Sequence, residues 1–428
     1  MLIYSIIAVI ALLTYLNYRF SHSVLYPPFI FCALWLLVLV LYQSNIIDVD
    51  PLHANSMLMV GGGTFLFSLG GVVAYGIPKH LIHLRIRIGD SLNEVQGNHL
   101  LKYLLVVVFM LAPIASAHRL AAAAAQGSGA TILAQARSAT FNGQNEEDTT
   151  PPLIVYVPVW SICLATLFLI EKRNKLFWIM AATAFVLAVL TTGRGPVLEL
   201  FSALITVHLL MTKKLKLGEA LKFARVPIII FFFLYVLLIF TNKDTSNLSG
   251  NVGQIIVYFV VSYIIGPLAA LDYVLQHPGD YTGLPNHTFK FPLRIASALH
   301  IAPYTPPPLL DKFIAVPFPT NVYTGFKFFY TDFGLIGCLV IVCIIGFLHT
   351  LLYRKALTGS ALGLFIFAFM MMPLVMFIFD DLYSATGEEL NMLLVGCVYM
   401  IMRPIQLMPS RNNRHTDPGD TQILSSLS

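Results

Sequence analysis

In a chain with so few charged residues, chemistry has to be sought at the isolated ones. Arg194 stands in Thr191-Thr192-Gly193-Arg194-Gly195-Pro196, where it interrupts what otherwise reads as a helical hairpin. An arginine at membrane depth is expensive and is a functional candidate by default. Its guanidinium is a rigid fork suited to phosphate oxygens, and the flanking glycines let a ligand approach closely. The plain alternative is a turn whose arginine snorkels to water. Arg137 (in Gln135-Ala136-Arg137-Ser138-Ala139), Arg119 and Arg294 carry the same group, and Lys290 lies four residues before Arg294. Together these arginines point to an anionic ligand. The competing reading is scattered surface charge paired with Glu146, Glu147 and Asp148.

Acid–base candidates are fewer. Asp332, in Tyr330-Thr331-Asp332-Phe333-Gly334, is suited to taking a proton from a hydroxyl nucleophile, or to holding a neighbouring arginine. Glu199 falls inside an apolar run, where a carboxylate needs a partner; an ion pair and a catalytic role both stay open. His287 and His300 share one loop and are candidates for a general base or a phosphate contact. No HExxH, Walker A or GxGxxG pattern occurs, so the expectation is no metal site and no cofactor. The Asp-Phe-Gly triplet stands without a Gly-rich loop, VAIK lysine or HRD segment, so nothing is kinase-like.

These residues are positioned by a membrane bundle. Of 428 residues, 57% are hydrophobic and 11% charged, with a mean hydropathy of +0.78. So few charges cannot coat so much apolar bulk in water. A span needs about 20 apolar residues, and eleven stretches qualify: 2–17, 26–43, 56–77, 100–118, 153–170, 176–191, 197–211, 226–240, 328–353, 360–379 and 390–402. Allowing for short stretches, the expectation is ten to twelve helices in one domain over 1–408, with a disordered tail over 409–428.

A further apolar stretch, 252–274, contains Gly266-Pro267 and Asp272. As a span it would put Arg354 and Lys355 on the wrong side of the positive-inside rule. It is therefore expected to be re-entrant, or to lie in the outer interface. The N-terminus is outside, the C-terminus inside, and eight of 26 Lys and Arg sit on the outer side. Two large outer loops follow: 119–152, with a helix stub at Ala121–Ala125, and the latter part of 242–327. The second loop is rich in proline and aromatics, with room for a short helix near 291–302. The glycines Gly61-Gly62-Gly63 and Gly70-Gly71 read as helix-packing surface. All five cysteines lie in apolar stretches and read as buried small hydrophobes. No basic cluster resembles a nucleic-acid footprint.

Four stretches resemble the Wzy-type O-antigen (oligosaccharide repeat-unit) polymerases of bacterial inner membranes. They are Ala136-Arg137-Ser138, Thr192-Gly193-Arg194-Gly195, Tyr263–Leu271, and Pro319-Thr320-Asn321-Val322-Tyr323-Thr324-Gly325 followed by Tyr330–Gly337. The resemblance implies an all-α polytopic fold of the GT-C-like, O-antigen ligase-like kind. It implies a metal-independent glycosyltransferase, active at the periplasmic face, that moves a growing chain between undecaprenyl-pyrophosphate-linked oligosaccharides. A repeat-unit flippase and a chain-length regulator are the implied protein partners, with membrane lipid around the chain.

On this reading Arg194 and Arg137 bind pyrophosphate, assisted by Arg119 and Arg294, because preorganised cations stabilise a departing diphosphate. Asp332 or His287 activates the acceptor hydroxyl, with Glu199 a third catalytic candidate. Asn321, Tyr323 and Thr324 shape the sugar site. The alternatives are an O-antigen ligase with lipid A-core as acceptor, and a flippase or other transporter. A transporter needs charges along a path through the bundle, whereas these spans are nearly charge-free.

Overall fold

The computed structural model describes residues 2–44, 46–78, 99–125, 135, 157–190, 195–219, 222, 225, 252–278, 287–305, 311, 313–316 and 318–384. They are almost entirely helical, as expected of an all-α membrane protein. In chain order the helices are α1 (Leu2–Ser21), α2 (Pro27–Gln43), α3 (Ala54–Gly76), α4 (His99–Ala124), α5 (Val157–Ile170), α6 (Asn174–Leu190), α7 (Gly195–Thr212), α8 (Val252–Gln276), α9 (Lys290–Ala298), α10 (Gly325–Leu357) and α11 (Ala361–Met376). Two-residue strands β1 (Ile314–Ala315) and β2 (Pro319–Thr320) pair antiparallel between α9 and α10. By length and composition α1, α3, α4, α7 and α10 can cross a membrane; α2, α5, α6, α11 and most of α8 are shorter apolar helices. The expected spans 226–240 and 390–402 lie outside the described residues.

Arg19 ends α1, and just beyond it the Val24 N–H donates to the Leu215 carbonyl beside Lys213 and Lys214. At the same end an Arg354 guanidinium N–H donates to the Ala74 carbonyl, and the rings of Tyr26, Tyr75 and Tyr353 meet. This is the basic end of the bundle. The opposite end carries the first turn of α3, the C-terminus of α8, the β1–β2 ribbon and the start of α10. We call it the loop end.

Two helices depart from the expected plan. The stretch 252–274 is one continuous helix rather than a re-entrant turn. Phe318, beside β2, packs on Tyr258 and would touch a Cβ at Gly266. Tyr263 meets Phe379 just past α11, and Asp272 meets the first turn of α3. These contacts pack α8 against the loop end. Asp272 accepts from the His53 N–H and the Ser56 hydroxyl there and from Gln276 Nε2 at 2.7 Å, satisfying one N–H group that a helix start leaves unpaired.

The doubling-back occurs instead in α10. Cys338 Sγ lies 3.6 Å from the Phe326 carbonyl, whereas twelve residues of straight helix span about 18 Å. The reversal is at Gly334, with φ 68° and ψ −173°, a conformation essentially reserved for glycine. Residues 325–333 form a short arm, and 335–357 run the length of α3. The glycines of α3 accept this neighbour: the Phe326 ring sits on Gly63, and a Cβ at Gly70 would lie 2.1 Å from the Cys343 carbonyl oxygen. The packing role expected of these glycines is what the structure shows. A second apolar cluster joins α4, α5 and α6 through Val106, Phe109, Leu164, Phe168 and Met180. Cys32, Cys163 and Cys338 are free and buried; Cys343 is half-buried.

Candidate functional site

The short arm of α10 carries charge into the loop end. Lys327, buried, lies one residue past Phe326 and so below the Gly334 tip. Its Nζ sits 2.6 Å from Asp311 Oδ1 and 4.5 Å from the ring centres of Tyr323 and Phe328. Aromatic faces attract a cation, most strongly when water is excluded. Lys290, at the start of α9, reaches to 5.6 Å from the Phe328 ring on its own account. Asp380, just beyond α11, faces the same two lysines and Asp311. A compact set of charges from four separate segments thus gathers at one end of an otherwise apolar bundle. Ionisable groups in such a place are functional candidates by default.

At the tip of the arm, the Asp332 carboxylate accepts backbone N–H groups of His287, at 3.2 Å to Oδ2, and Thr288, at 2.7 Å. The sequence reading paired Asp332 with His287 as candidates for one task, and the structure brings them together. The contact is backbone to carboxylate, so Asp332 anchors the start of α9 and the His287 ring faces elsewhere. That ring lies edge-on to Phe328 at 5.3 Å. Burial, with Lys290 and Lys327 nearby, lowers the His287 pKa from its ordinary 6.5 against the opposing pull of Asp332 and Asp311. His287 is therefore a neutral imidazole at pH 7.

The other candidates are dispersed. Tyr323 is buried beneath Lys327, in a cluster with Ala270, Val274 and Ile314. Thr324 caps α10 and is fully buried, its hydroxyl without a hydrogen-bond partner among the described residues. Asn321 is half-buried between β2 and α10. Tyr323 and Thr324 therefore build the wall under the charges; among the described residues no contact joins Asn321 to them. Arg294 is exposed on α9 and close enough to Tyr304 to offset part of the rise that burial causes in that phenol's pKa. Arg119 is exposed near the end of α4, which continues as one helix through the expected stub. Among the described residues no contact joins Arg119 to the charged set. Glu199 is buried in the second turn of α7 and has an interaction partner. His300 is exposed beyond α9. Arg137 and Arg194 lie outside the described residues.

In comparisons with protein-family models, curated proteins and solved structures, nothing matches the chain.

Sequence reasoning missed Asp311, Asp380 and Asp381; Lys327 was only one of the eight outer Lys and Arg, and Lys290 only a neighbour of Arg294. A signal was present for the aspartates at 380 and 381. Two adjacent acids directly after the apolar run 360–379 are unusual in a chain with 21 acidic residues in 428.

Proposed function

We propose that this chain is a membrane glycosyltransferase that polymerises undecaprenyl-pyrophosphate-linked oligosaccharide repeat units into O-antigen or a related surface polysaccharide. The growing chain moves from its lipid onto a fresh lipid-linked unit at the periplasmic face of a bacterial inner membrane, in an eleven-span, GT-C-like bundle. A repeat-unit flippase supplies the substrate, and a chain-length regulator works beside the enzyme.

One observation carries the reading. Stretches that resemble the polymerases, 263–271 and the later 319–325 with 330–337, meet at one end of the bundle around Lys327. Ala270 packs with Tyr323 and Tyr330, Gly266 receives Phe318, and Lys327 lies between the last two segments. The chemistry suits the reaction. A lipid diphosphate leaves readily once its developing charge is met by fixed cations, and Lys290 and Lys327 are the cations of this set. Orientation of the acceptor sugar falls to the surrounding polar and aromatic groups. Arg294, Arg119, Arg137 and Arg194 remain the arginines assigned to diphosphate.

The direct test supplies the purified protein, in lipid nanodiscs, with purified lipid-linked repeat units. A ladder of polymer on a gel is the expected outcome. Deletion of the gene in its source strain should leave core carrying a single repeat unit. Full-length lipid-linked polymer accumulating in that deletion selects a ligase, and unflipped single units select a flippase; either outcome removes the polymerase reading.

A further inference from the structure

The chain leaves α11 without leaving the protein. Phe377 and Ile378 are buried, and residues 380–384 continue without regular structure, with Asp381 and Ser384 buried. The Tyr383 hydroxyl meets His349 Nε2, on the long leg of α10, at 2.8 Å. The Tyr383 N–H donates to Asp381 Oδ1 at 3.0 Å, and the Asp381 N–H donates to Asp380 Oδ1 at 2.8 Å. Irregular backbone inside a membrane bundle persists where protein buries it or where it lines a wet cavity.

The two acids are differently placed. Asp381 is enclosed, and its Oδ2 has no hydrogen-bond partner among the described residues. Burial, reinforced by Asp380, pushes its carboxyl up to about 7 against the lowering by Ser384, the Tyr383 N–H and Lys290. Asp380 keeps exposed surface, yet burial raises its carboxyl as well. Asp380 is thus the exposed member of a charged set whose Lys327 is buried, and we call that set the hollow. Asp311 and Asp381 face Asp380 as like charges, Lys290 and Lys327 as opposite ones. Its Oδ1 is held by the Asp381 N–H; among the described residues its Oδ2 has no partner.

We propose that Asp380 is the base that takes the acceptor hydroxyl's proton in the transfer step, and that Asp381 is a positioning residue behind it. The inference rests on the glycosyl transfer proposed above and assigns it a group. The acceptor oxygen bonds to the anomeric carbon as its proton passes to Asp380 Oδ2. The bond from that carbon to the diphosphate oxygen breaks, and the electron pair leaves on the diphosphate, on the side of Lys290 and Lys327. Asp380 then returns the proton to water. Asp332 is less suited to this task, because its carboxylate already accepts two backbone N–H groups.

The experiment compares wild type, Asp380→Asn, Asp380→Glu and Asp381→Asn in nanodiscs with purified lipid-linked repeat units, reading polymerisation rate, substrate affinity and the rate–pH profile. Asp380→Asn should lower the rate by about 100-fold or more, the usual worth of a positioned base. Its affinity should stay within about threefold, as for a group that acts in the transition state. Its acid limb of the rate–pH profile should vanish, and Asp380→Glu should recover part of the rate. Asp381→Asn should lower the rate less than Asp380→Asn does and leave the acid limb where wild type has it, because the like charge that raises Asp380 is Asp311. A rate for Asp380→Asn within about threefold of wild type overturns the assignment. So does a retained acid limb, or a loss confined to affinity and thermal stability. Wild type that binds the lipid-linked units and makes no polymer overturns the proposed function, and this assignment with it.

Discussion

The same helix does opposite things along its length. Where the long leg of α10 runs beside α3, the backbones close until no side chain fits between them: a Cβ at Gly346 would lie 2.2 Å from the Phe67 carbonyl oxygen. Above that seam α10 reverses at Gly334, α11 ends, and the segments there bring together Lys327, Asp311 and Asp380. Charge gathers where helices part, and the seam holds rigid the helix that carries it. Sites built on packed helices are better fixed than sites on loops. If this division is right, breaking the seam destroys the protein, whereas breaking the hollow spares the fold and destroys the chemistry.

The largest effect should come from the seam. Gly70→Leu places a side chain into the Cys343 carbonyl. Overpacking a close contact costs about 1–3 kcal/mol where side chains alone move, and more where backbones must. No monodisperse protein should be recovered after detergent extraction, by size-exclusion chromatography. A well-folded Gly70→Leu protein would mean that the seam is not what sets the position of α10.

Lys327→Met tests the hollow. It leaves Asp311 and Asp380 facing each other with only Lys290 opposite, and the loss of one partner of a buried pair costs about 3–5 kcal/mol. Asp311 retains a quarter of its side-chain surface, 25%, so the loss should fall at or below the lower end of that range. Adding Asp311→Asn should restore most of the thermal stability and none of the polymerisation. Restored activity in the double variant would make the lysine structural only.

How much of this was legible beforehand follows the physics of each feature. Helices of 17 or more apolar residues announce themselves by hydropathy, and α2, α3, α6 and α7 fall where expected within a few residues. The packing role of Gly63 and Gly70 was readable because small residues in a membrane helix admit a close neighbour. Gly334 was not, because a glycine in an apolar run looks the same whether it packs or turns. The pairing of Lys327 with Asp311 crosses a proline-rich loop that carries no periodicity, so nothing in the spacing links them. Asp272 was noticed as out of place, and its partners on α3, more than 200 residues earlier, emerge only from the fold.

A milder break lies at the boundary between the two regions. Gly334→Ala adds a methyl group that meets nothing within 4 Å, so its whole effect is on the backbone at φ 68°. Holding alanine there costs about 1–3 kcal/mol. The thermal midpoint should fall while the protein stays folded, and polymerisation should fall further than stability does, because the short arm carries Lys327. Equal losses in both would place the arm with the seam and not with the site.

The smallest effect is a pH dependence confined to the loop end. His287 is held below its ordinary pKa of 6.5, chiefly by burial and then by Lys290 and Lys327. The folded protein therefore binds this proton less readily than the unfolded chain does. Its contribution to stability is complete above about pH 6.5 and is lost as pH falls from there through the lowered folded value. His287→Gln removes the titration and keeps the backbone N–H that Asp332 accepts. Between pH 8 and pH 5 the thermal midpoint of wild type should therefore drop by more than that of the variant, and a fluorescence melt at the two pH values measures both. Identical drops would show that the His287 ring is wet and free to protonate. The charges of the hollow would then be screened by water instead of held in a dry wall, and the contrast between seam and hollow would widen.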